Sequence, residues 1–376
     1  MTRVVHGQRA SHRILPPWDF LPLLPADDLV MASLRNRIDD LLDRRAPAVP
    51  AASLPLDRRL ALLRRHGDFS LAYSAATQAG LSYFGGEDGY IAFQTKMGRH
   101  FVLSDPVAAP AARAGLLSRF VEAAGAPWFV QIGPRTAETL AGLGYLVNRM
   151  GFDTRLPLPA HDFSGSRNET VRYSERWLVK KGYALAEDDG TRVPPADVEA
   201  LSAEWRSGRI VSRREMAFLN RPFLVTPGPL MRRFVLLDGD GRLVALLDYD
   251  PMFSDGKVVG YTTAFKRKVA GATPHAEIGL TKFSVDRFRA EGISAVTLGL
   301  SPLADTAPSG FAESALWRAA FARAFQSGFI NRTRFNLKGQ AAFKRRFHGT
   351  EEPVYIAFPK GSAFGMLALL RLVKAI

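Results

Sequence analysis

Cysteine is absent from all 376 residues, which removes disulfides, thiolate zinc sites and cysteine nucleophiles from consideration. No uninterrupted apolar run approaches the ~18 residues that a membrane span requires. The opening Met-Thr-Arg-Val-Val-His-Gly-Gln-Arg carries charge with no apolar stretch behind it, so it is not expected to be a secretory signal. A Gly-x-Ser-x-Gly elbow is missing too, which argues against a hydrolase-type serine nucleophile. Negative charge is scarce: 36 acidic residues face 50 Lys and Arg, for a net charge of +14. Such an excess suits polyanionic partners such as nucleic acid, phosphorylated donors or an anionic membrane face. Arginine used freely on solvated surfaces explains it equally well. A cytoplasmic protein without a metal is the expectation.

Hydrophobic residues at 47% and charged residues at 23% are ordinary for a folded chain. The length suits two domains of roughly 150 to 200 residues. Residues 1–55 read as a leader and linker, partly disordered. Pro16, Pro17, Pro22 and Pro25 break its first part, residues 27–45 carry apolar side chains near helical spacing, and residues 46–52 form an Ala/Pro linker. A first unit spans 56–160. It reads as a helix at 56–65, strands at 81–84, 89–94 and 99–104, a helix at 111–124, a strand at 128–132 and a helix at 134–143, with Gly85 and Gly86 taken as a hairpin turn. A second unit spans 165–376. Helices are predicted at 169–182 and 195–208, a hairpin joins strands 233–237 and 242–249 through Asp-Gly-Asp-Gly, and a strand follows at 257–263. Helix 276–291, stopped by Gly292, then leads into strand 295–300.

Paired strands, a third strand, a helix and a further strand is the order of the acetyltransferase-like (GNAT) fold. The first unit repeats that order with shorter pieces. The fold class predicted is therefore α/β (α+β), two tandem GNAT-like units. In the second unit, Thr297-Leu-Gly-Leu-Ser-Pro-Leu303 reads as a buried strand ending in a Ser-Pro loop. Phe335-Asn-Leu-Lys-Gly-Gln-Ala-Ala-Phe-Lys-Arg-Arg-Phe347 reads as a glycine-marked basic loop beside it. A strand end facing a cationic loop is where α/β enzymes place an anionic substrate.

These two segments, with Trp205 and the downstream Glu215-Met-Ala-Phe218, and with Tyr355-Ile-Ala-Phe358, resemble the catalytic domain of lysyl- and alanyl-phosphatidylglycerol synthases, the multiple peptide resistance factor family. Weaker similarity lies at residues 85–110, around Asp105-Pro106. The resemblance covers about residues 80 to 360. It implies a bacterial acyltransferase of two GNAT-like units that moves an aminoacyl group from aminoacyl-tRNA to a lipid hydroxyl, with no cofactor beyond its donor. It also implies a lipid acceptor, a tRNA partner and a peripheral place on the inner face of the cell membrane. The chain departs from the family pattern at Ala341, where an Arg is usual, and at 349–352, which lacks a Trp. A third departure is Tyr261-Thr-Thr-Ala-Phe-Lys-Arg267, which stands where an Asp and Arg pair is usual. An acyl-CoA or acyl-carrier donor, building an amino-lipid or ceramide-like product, therefore stays open. So does a non-catalytic binder of nucleic acid or membrane.

Acyl transfer needs a base for the nucleophile's proton, donors for the developing oxyanion and cations for the donor's phosphates. Glu277 at a helix start, His275 in the Thr-Pro-His loop before it and Asp250 at a strand end beside Asp248 are the candidate catalytic groups. Glu277 equally suits a helix-dipole role. Lys338, Lys344 and Arg345, interleaved with Phe335, Phe343 and Phe347, are candidates for phosphate or tRNA backbone contact. Lys266 and Arg267 sit where a GNAT enzyme holds the coenzyme A pyrophosphate, although Lys268-Val-Ala-Gly-Ala-Thr is only a weak version of that loop. Tyr261, Ser301 and Asn336 complete the substrate-binding set, Ser301 as a loop or hydrogen-bonding residue because Pro302 follows it. The basic apolar tail, residues 364–376, either packs on the core or lies in the membrane plane, with Arg371 and Lys374 favouring anionic headgroups.

Overall fold

A computed structural model describes residues 39–208, 217–333 and 335–375. Most of the proline-broken leader, most of the 27–45 helix and residues 215–216 of the Trp205 motif lie outside them. The described chain is built on one twelve-stranded mixed sheet. The first half supplies helices α1 (Leu56–His66) and α2 (Ala72–Thr77), then strands β1 (Ser82–Gly86), β2 (Gly89–Lys96), β3 (Arg99–Leu103) and β4 (Val107–Ala108). Helix α3 (Pro110–Ala124), strand β5 (Trp128–Ile132), helix α4 (Pro134–Gly142) and strand β6 (Leu146–Pro157) follow. The second half supplies α5 (Glu169–Lys180), β7 (Ala184–Asp188), α6 (Pro195–Ser207), β8 (Arg232–Leu237), β9 (Leu243–Ser254), β10 (Lys257–Lys268), α7 (His275–Ala290) and β11 (Ala295–Pro302). It ends with α8 (Ala315–Gln326), α9 (Gly328–Thr333), α10 (Leu337–Arg345), β12 (Thr350–Phe358) and α11 (Ala363–Leu372).

Strand order across the sheet is β1-β2-β3-β5-β12-β6-β11-β10-β9-β8-β7. Each half runs antiparallel and then adds one parallel strand after a helix: β5 beside β3, and β11 beside β10. This is the tandem GNAT-like arrangement expected. The β12 strand, late in the chain, threads between β5 and β6 and is antiparallel to both. In the first half α3 and α4 cover one face of the sheet and α11 the other. In the second half α5 and α7 pack on β8 to β11.

Three local expectations change. The basic stretch read as a loop is helix α10, because Asn336 caps it, its Oδ1 accepting from the Gly339 N–H at 2.9 Å. A side chain at 339 would meet that Asn336 amide at 2.3 Å, so the glycine serves the cap rather than breaking the helix. Gly85 and Gly86 lie inside β1, paired with Tyr90 and Gly89, which moves the turn to Glu87 and Asp88. Asp248 and Asp250 are mid-strand rather than at a strand end, since β9 runs on to Ser254.

Two buried carboxylates in one strand need paired cations. Asp248 takes the Arg233 guanidinium at 2.7 and 2.9 Å, and Arg233 also donates to the Leu224 and Val225 carbonyls. Asp250 takes Arg221 at 2.7 to 3.1 Å. Removing one partner strands the other charge in the sheet. Arg233→Met is expected to cost about 3–5 kcal/mol in urea unfolding, and Arg233→Met/Asp248→Leu clearly less than the sum of the single changes. Additive losses would show that the pair is not energetically coupled.

Candidate active site

The site opens where β10 and β11 separate. They pair in parallel over Gly260–Ala295, Tyr261–Val296 and Thr262–Thr297 only. Beyond that, β10 carries a register shift against β9 between Thr263 and Phe265. On the other side, β11 shifts against β6 between Thr297 and Leu300, with Gly299 at φ 78°. A cavity of about 520 Å³ fills the gap. The first half has the same split: β3 and β5 pair over Phe101 to Leu103 and then part at Asp105 and Gly133, which line the same cavity. There the opening is closed by the Asp105 carboxylate, which accepts the Gly133 N–H at 3.0 Å.

In the second half the plug is Lys344 from α10. Its Nζ donates to the Gly299 carbonyl at 2.7 Å and the Leu300 carbonyl at 2.5 Å. Burial pushes the Lys344 amine down to about 7, with Asp153 pulling the other way and Lys266 adding to the fall. An amine that titrates near neutrality inside a cavity is equipped to exchange a proton. A chain of hydroxyls runs beside it. The Ser70 hydroxyl donates to Asp153 at 2.6 Å and lies 3.0 Å from the Thr297 hydroxyl, which is 2.8 Å from that of Thr262.

A second cavity, also about 520 Å³, shares Ala264, Lys266 and Gln340 with the first. Its walls are aromatic and basic, with Trp205, Phe335, Phe343, Arg267 and Arg332 among them. Lys266 stands in the common wall, its Nζ 3.6 Å from the Phe343 ring centroid and 3.8 Å from Glu277. Burial lowers its pKa, with Glu277 opposing and Lys268 assisting. The Arg267 guanidinium lies 3.7 Å from the Trp205 ring centroid.

The expected residues divide cleanly. Lys266, Lys344 and Asp250 line the first cavity, and Lys266, Arg267, Glu277 and Asn336 line the second. Burial works to raise the Glu277 carboxyl, but Lys266 and Lys268 outweigh it and hold it below its usual value. That is an ion-pair partner, 2.9 Å from Lys268, and a weak base. Asp250 is occupied by Arg221. Tyr261 lines neither cavity, because it stacks on Phe288 at 4.4 Å in the core. His275 lines neither as well, its ring packed on Trp177 and its Nδ1 3.0 Å from the Ser174 hydroxyl. Ser301 is fully buried and strand alternation turns it away, while Leu300 and Pro302 line the wall. Lys338 is exposed on the first turn of α10, and Arg345 pairs with Glu351 at 2.6 Å. The sequence reading missed Asp153, Ser70, Thr262 and Thr297. Asp153 lies in β6, whose Gly151 and scattered polar residues hid the strand.

Among the described residues no helix is long and apolar enough to cross a membrane, and no cluster of three His, Cys, Asp or Glu side chains is placed to hold a metal. Helix α11 buries Met366, Leu369 and Leu372 against the sheet and leaves Phe364, Leu367 and Leu370 exposed. Arg371 is spent on Asp39, at 3.2 Å, while Lys374 is exposed.

Two pairs of parallel strands that split toward one shared cavity define a tandem acyltransferase-like fold. A family model described as phosphatidylglycerol lysyltransferase, C-terminal, matches residues 60–358, so the chain belongs to that family of acyltransferases. Among solved structures, the chain is similar to the C-terminal domain of a protein assigned as a lysylphosphatidylglycerol synthetase from Agrobacterium fabrum. That match has 20% identity and a TM-score of 0.69 over 85% of this chain and 98% of that one. L-PGS from Bacillus licheniformis matches at 18% identity and TM-score 0.69 over 87% and 99%. A Bacteroides thetaiotaomicron protein of unknown function matches at 12% identity and TM-score 0.56 over 83% and 100%. No curated protein matches this chain.

The buried lysine has a consequence in solution. Its folded value near 7 lies below the ordinary lysine value of 10.5, so between those pH values the unfolded chain holds the extra proton. Stability contributed by this group therefore rises with pH across that window. The wild type is expected to gain on Lys344→Met as pH climbs from 7 to 10 in parallel denaturant titrations. Parallel curves would refute the buried-amine assignment.

Proposed function

We propose that the chain transfers an aminoacyl group from aminoacyl-tRNA to a phospholipid hydroxyl, with phosphatidylglycerol as the acceptor class. The observation that carries the reading is the pair of cavities meeting at Lys266, one walled by cations and rings, the other holding the Lys344 amine. Arg332 and Lys266 suit the phosphates at the tRNA acceptor end, and Phe335 offers a face on which a terminal base stacks. The aminoacyl ester then reaches across Lys266 toward Lys344, and the lipid hydroxyl arrives through the first cavity. The hydroxyl oxygen forms the new ester bond to the carbonyl carbon, and the bond to the tRNA ribose oxygen breaks. The hydroxyl proton passes to the neutral Lys344 amine and from there to the leaving ribose oxygen. One ester replaces another, so no oxidant, reductant or energy donor is needed. The exposed apolar side of α11, with Lys374 beside it, suits a peripheral contact with an anionic membrane.

A coenzyme A donor is less well served. In the loop where its pyrophosphate would sit, the Ala270 N–H already donates to Glu204 at 2.7 Å. Lys268 is engaged by Glu277 at 2.9 Å.

Purified protein with labelled aminoacyl-tRNAs and phosphatidylglycerol vesicles is expected to move label into the organic extract. Lys344→Met is expected to lower kcat by about 10²–10⁴-fold, and Lys266→Ala to act mainly on KM for the tRNA. Label only from acyl-CoA with an amine lipid would replace this reading with the N-acyltransferase. No transfer from either donor, with tRNA still bound, would leave a binder.

A further inference from the structure

Asp153 is the group in the cavity that the transfer chemistry above does not use. It sits on β6 between two neighbours, opposite Leu300 of β11 and Glu352 of β12. Its residue is only 7% exposed. One carboxylate oxygen takes the Ser70 hydroxyl, and the other, Oδ1, is buried with no hydrogen-bond donor among the described residues. No Lys, Arg or His lies within ion-pair distance of it among the described ion pairs, because the neighbouring Lys344 is committed to two carbonyls. A buried carboxylate oxygen left without a donor costs more than most single contacts return, so such an atom marks a place where a ligand completes the bonding.

The surroundings select the sign of that ligand. Glu352 faces the same cavity from the adjoining strand, with burial and then Asp153 itself working to raise its carboxyl against Arg155 at 3.8 Å. Two carboxylates side by side, one with an oxygen left unpaired, favour a cation at that point. The cation must also fit beside a carbonyl being attacked near Lys344. An aminoacyl ester meets both conditions, since its ammonium is on the carbon next to the ester carbonyl.

We propose that Asp153, with Glu352 behind it, receives the protonated α-amine of the aminoacyl donor and so restricts the enzyme to aminoacyl groups over plain acyl groups. This rests on the transfer reading above and adds to it the feature by which the donor is chosen. The α-ammonium donates to Oδ1, while Ser70 keeps Oδ2 turned away and fixes the carboxylate plane. A side-chain ammonium, as in a lysyl group, is the other source of the same chemistry, and the experiment separates the two.

The test compares wild type and Asp153→Asn on alanyl-tRNA, lysyl-tRNA and N-acetyl-alanyl-tRNA with phosphatidylglycerol vesicles. Asparagine keeps an acceptor for Ser70, and a melting curve checks the fold. Expected are a loss in kcat/KM of at least about tenfold on both free-amine donors, wild-type discrimination of similar size against the acetylated donor, and no further loss for the variant on that donor. Equal rates for variant and wild type, or equal use of acetylated and free alanyl-tRNA by the wild type, would overturn the proposal. A loss confined to lysyl-tRNA would overturn it in favour of a side-chain site. Should the wild type move no aminoacyl group at all, the transfer reading falls and binding decides this one. Calorimetric titration should then give tighter binding of L-alanine amide than of propionamide by about tenfold in the wild type, and equal binding of the two would overturn it. Glu352→Gln, expected to lose severalfold, provides the same comparison if Asp153→Asn does not fold.

Discussion

Two backbone carbonyls, those of Gly299 and Leu300, face the gap where β10 and β11 part, and the Lys344 amine satisfies both. A split sheet is a costly feature, because each bare carbonyl in a dry interior costs about 1–3 kcal/mol. Filling the gap with an apolar side chain would close the cavity and leave the carbonyls bare. Filling it with a lysine keeps the strands apart, satisfies the backbone and leaves an amine whose pKa falls because it is buried. The opening and the titratable group are thus one solution to one problem. The first half meets the same problem with the opposite sign: Asp105 accepts from a backbone N–H at its own split.

That solution depends on the late part of the chain. Lys344 must approach from above the split, which requires α10 to be a helix held by Asn336 at its start and by Phe347 in the core. The chain then turns into β12 and passes between β5 and β6, carrying Glu352 into the cavity beside Asp153. Insertion between strands of the first half ties both splits into one cavity.

Elements with strong local signals were legible from sequence. The β8–β9 hairpin follows from Asp-Gly-Asp-Gly, the stop of α7 from Gly292, and the parallel strand after it from its apolar run. The two strands that build the center of the sheet were not. In β6, Asn148, Asp153 and Thr154 are buried, so polar residues occupy the positions where alternation demands apolar ones. The β12 strand opens with Thr-Glu-Glu-Pro, which reads as a loop, yet Pro353 is tolerated opposite Phe152 beside a register shift. For the site, Lys344, Lys266, Arg267 and Asn336 were within reach because cations among phenylalanines stand out. Asp153 was not, since nothing local distinguishes a carboxylate that three strands will bury. His275 and Tyr261 are close in sequence to cavity residues, but their rings pack on Trp177 and Phe288, away from both cavities.

Charge is sorted inside the molecule in a way the net value of +14 conceals. Arg221, Arg232 and Arg233 are each locked to carboxylates, and Arg345 to Glu351 at the surface; such pairs take up acids and bases equally, so the excess of positive charge lies elsewhere. What faces the second cavity is mainly cationic and aromatic, whereas the first cavity gathers Asp105, Asp153 and Glu352 around Lys344 and Lys266, two amines of lowered pKa. An aminoacyl-tRNA end has the matching polarity, anionic along its backbone and cationic at its tip. A fatty acyl thioester is anionic at one end and apolar at the other. It would bring to Asp153 an apolar chain that leaves the free carboxylate oxygen unpaired. The order of charge from rim to center, more than the number of positive residues, is what the proposed aminoacyl donor would match.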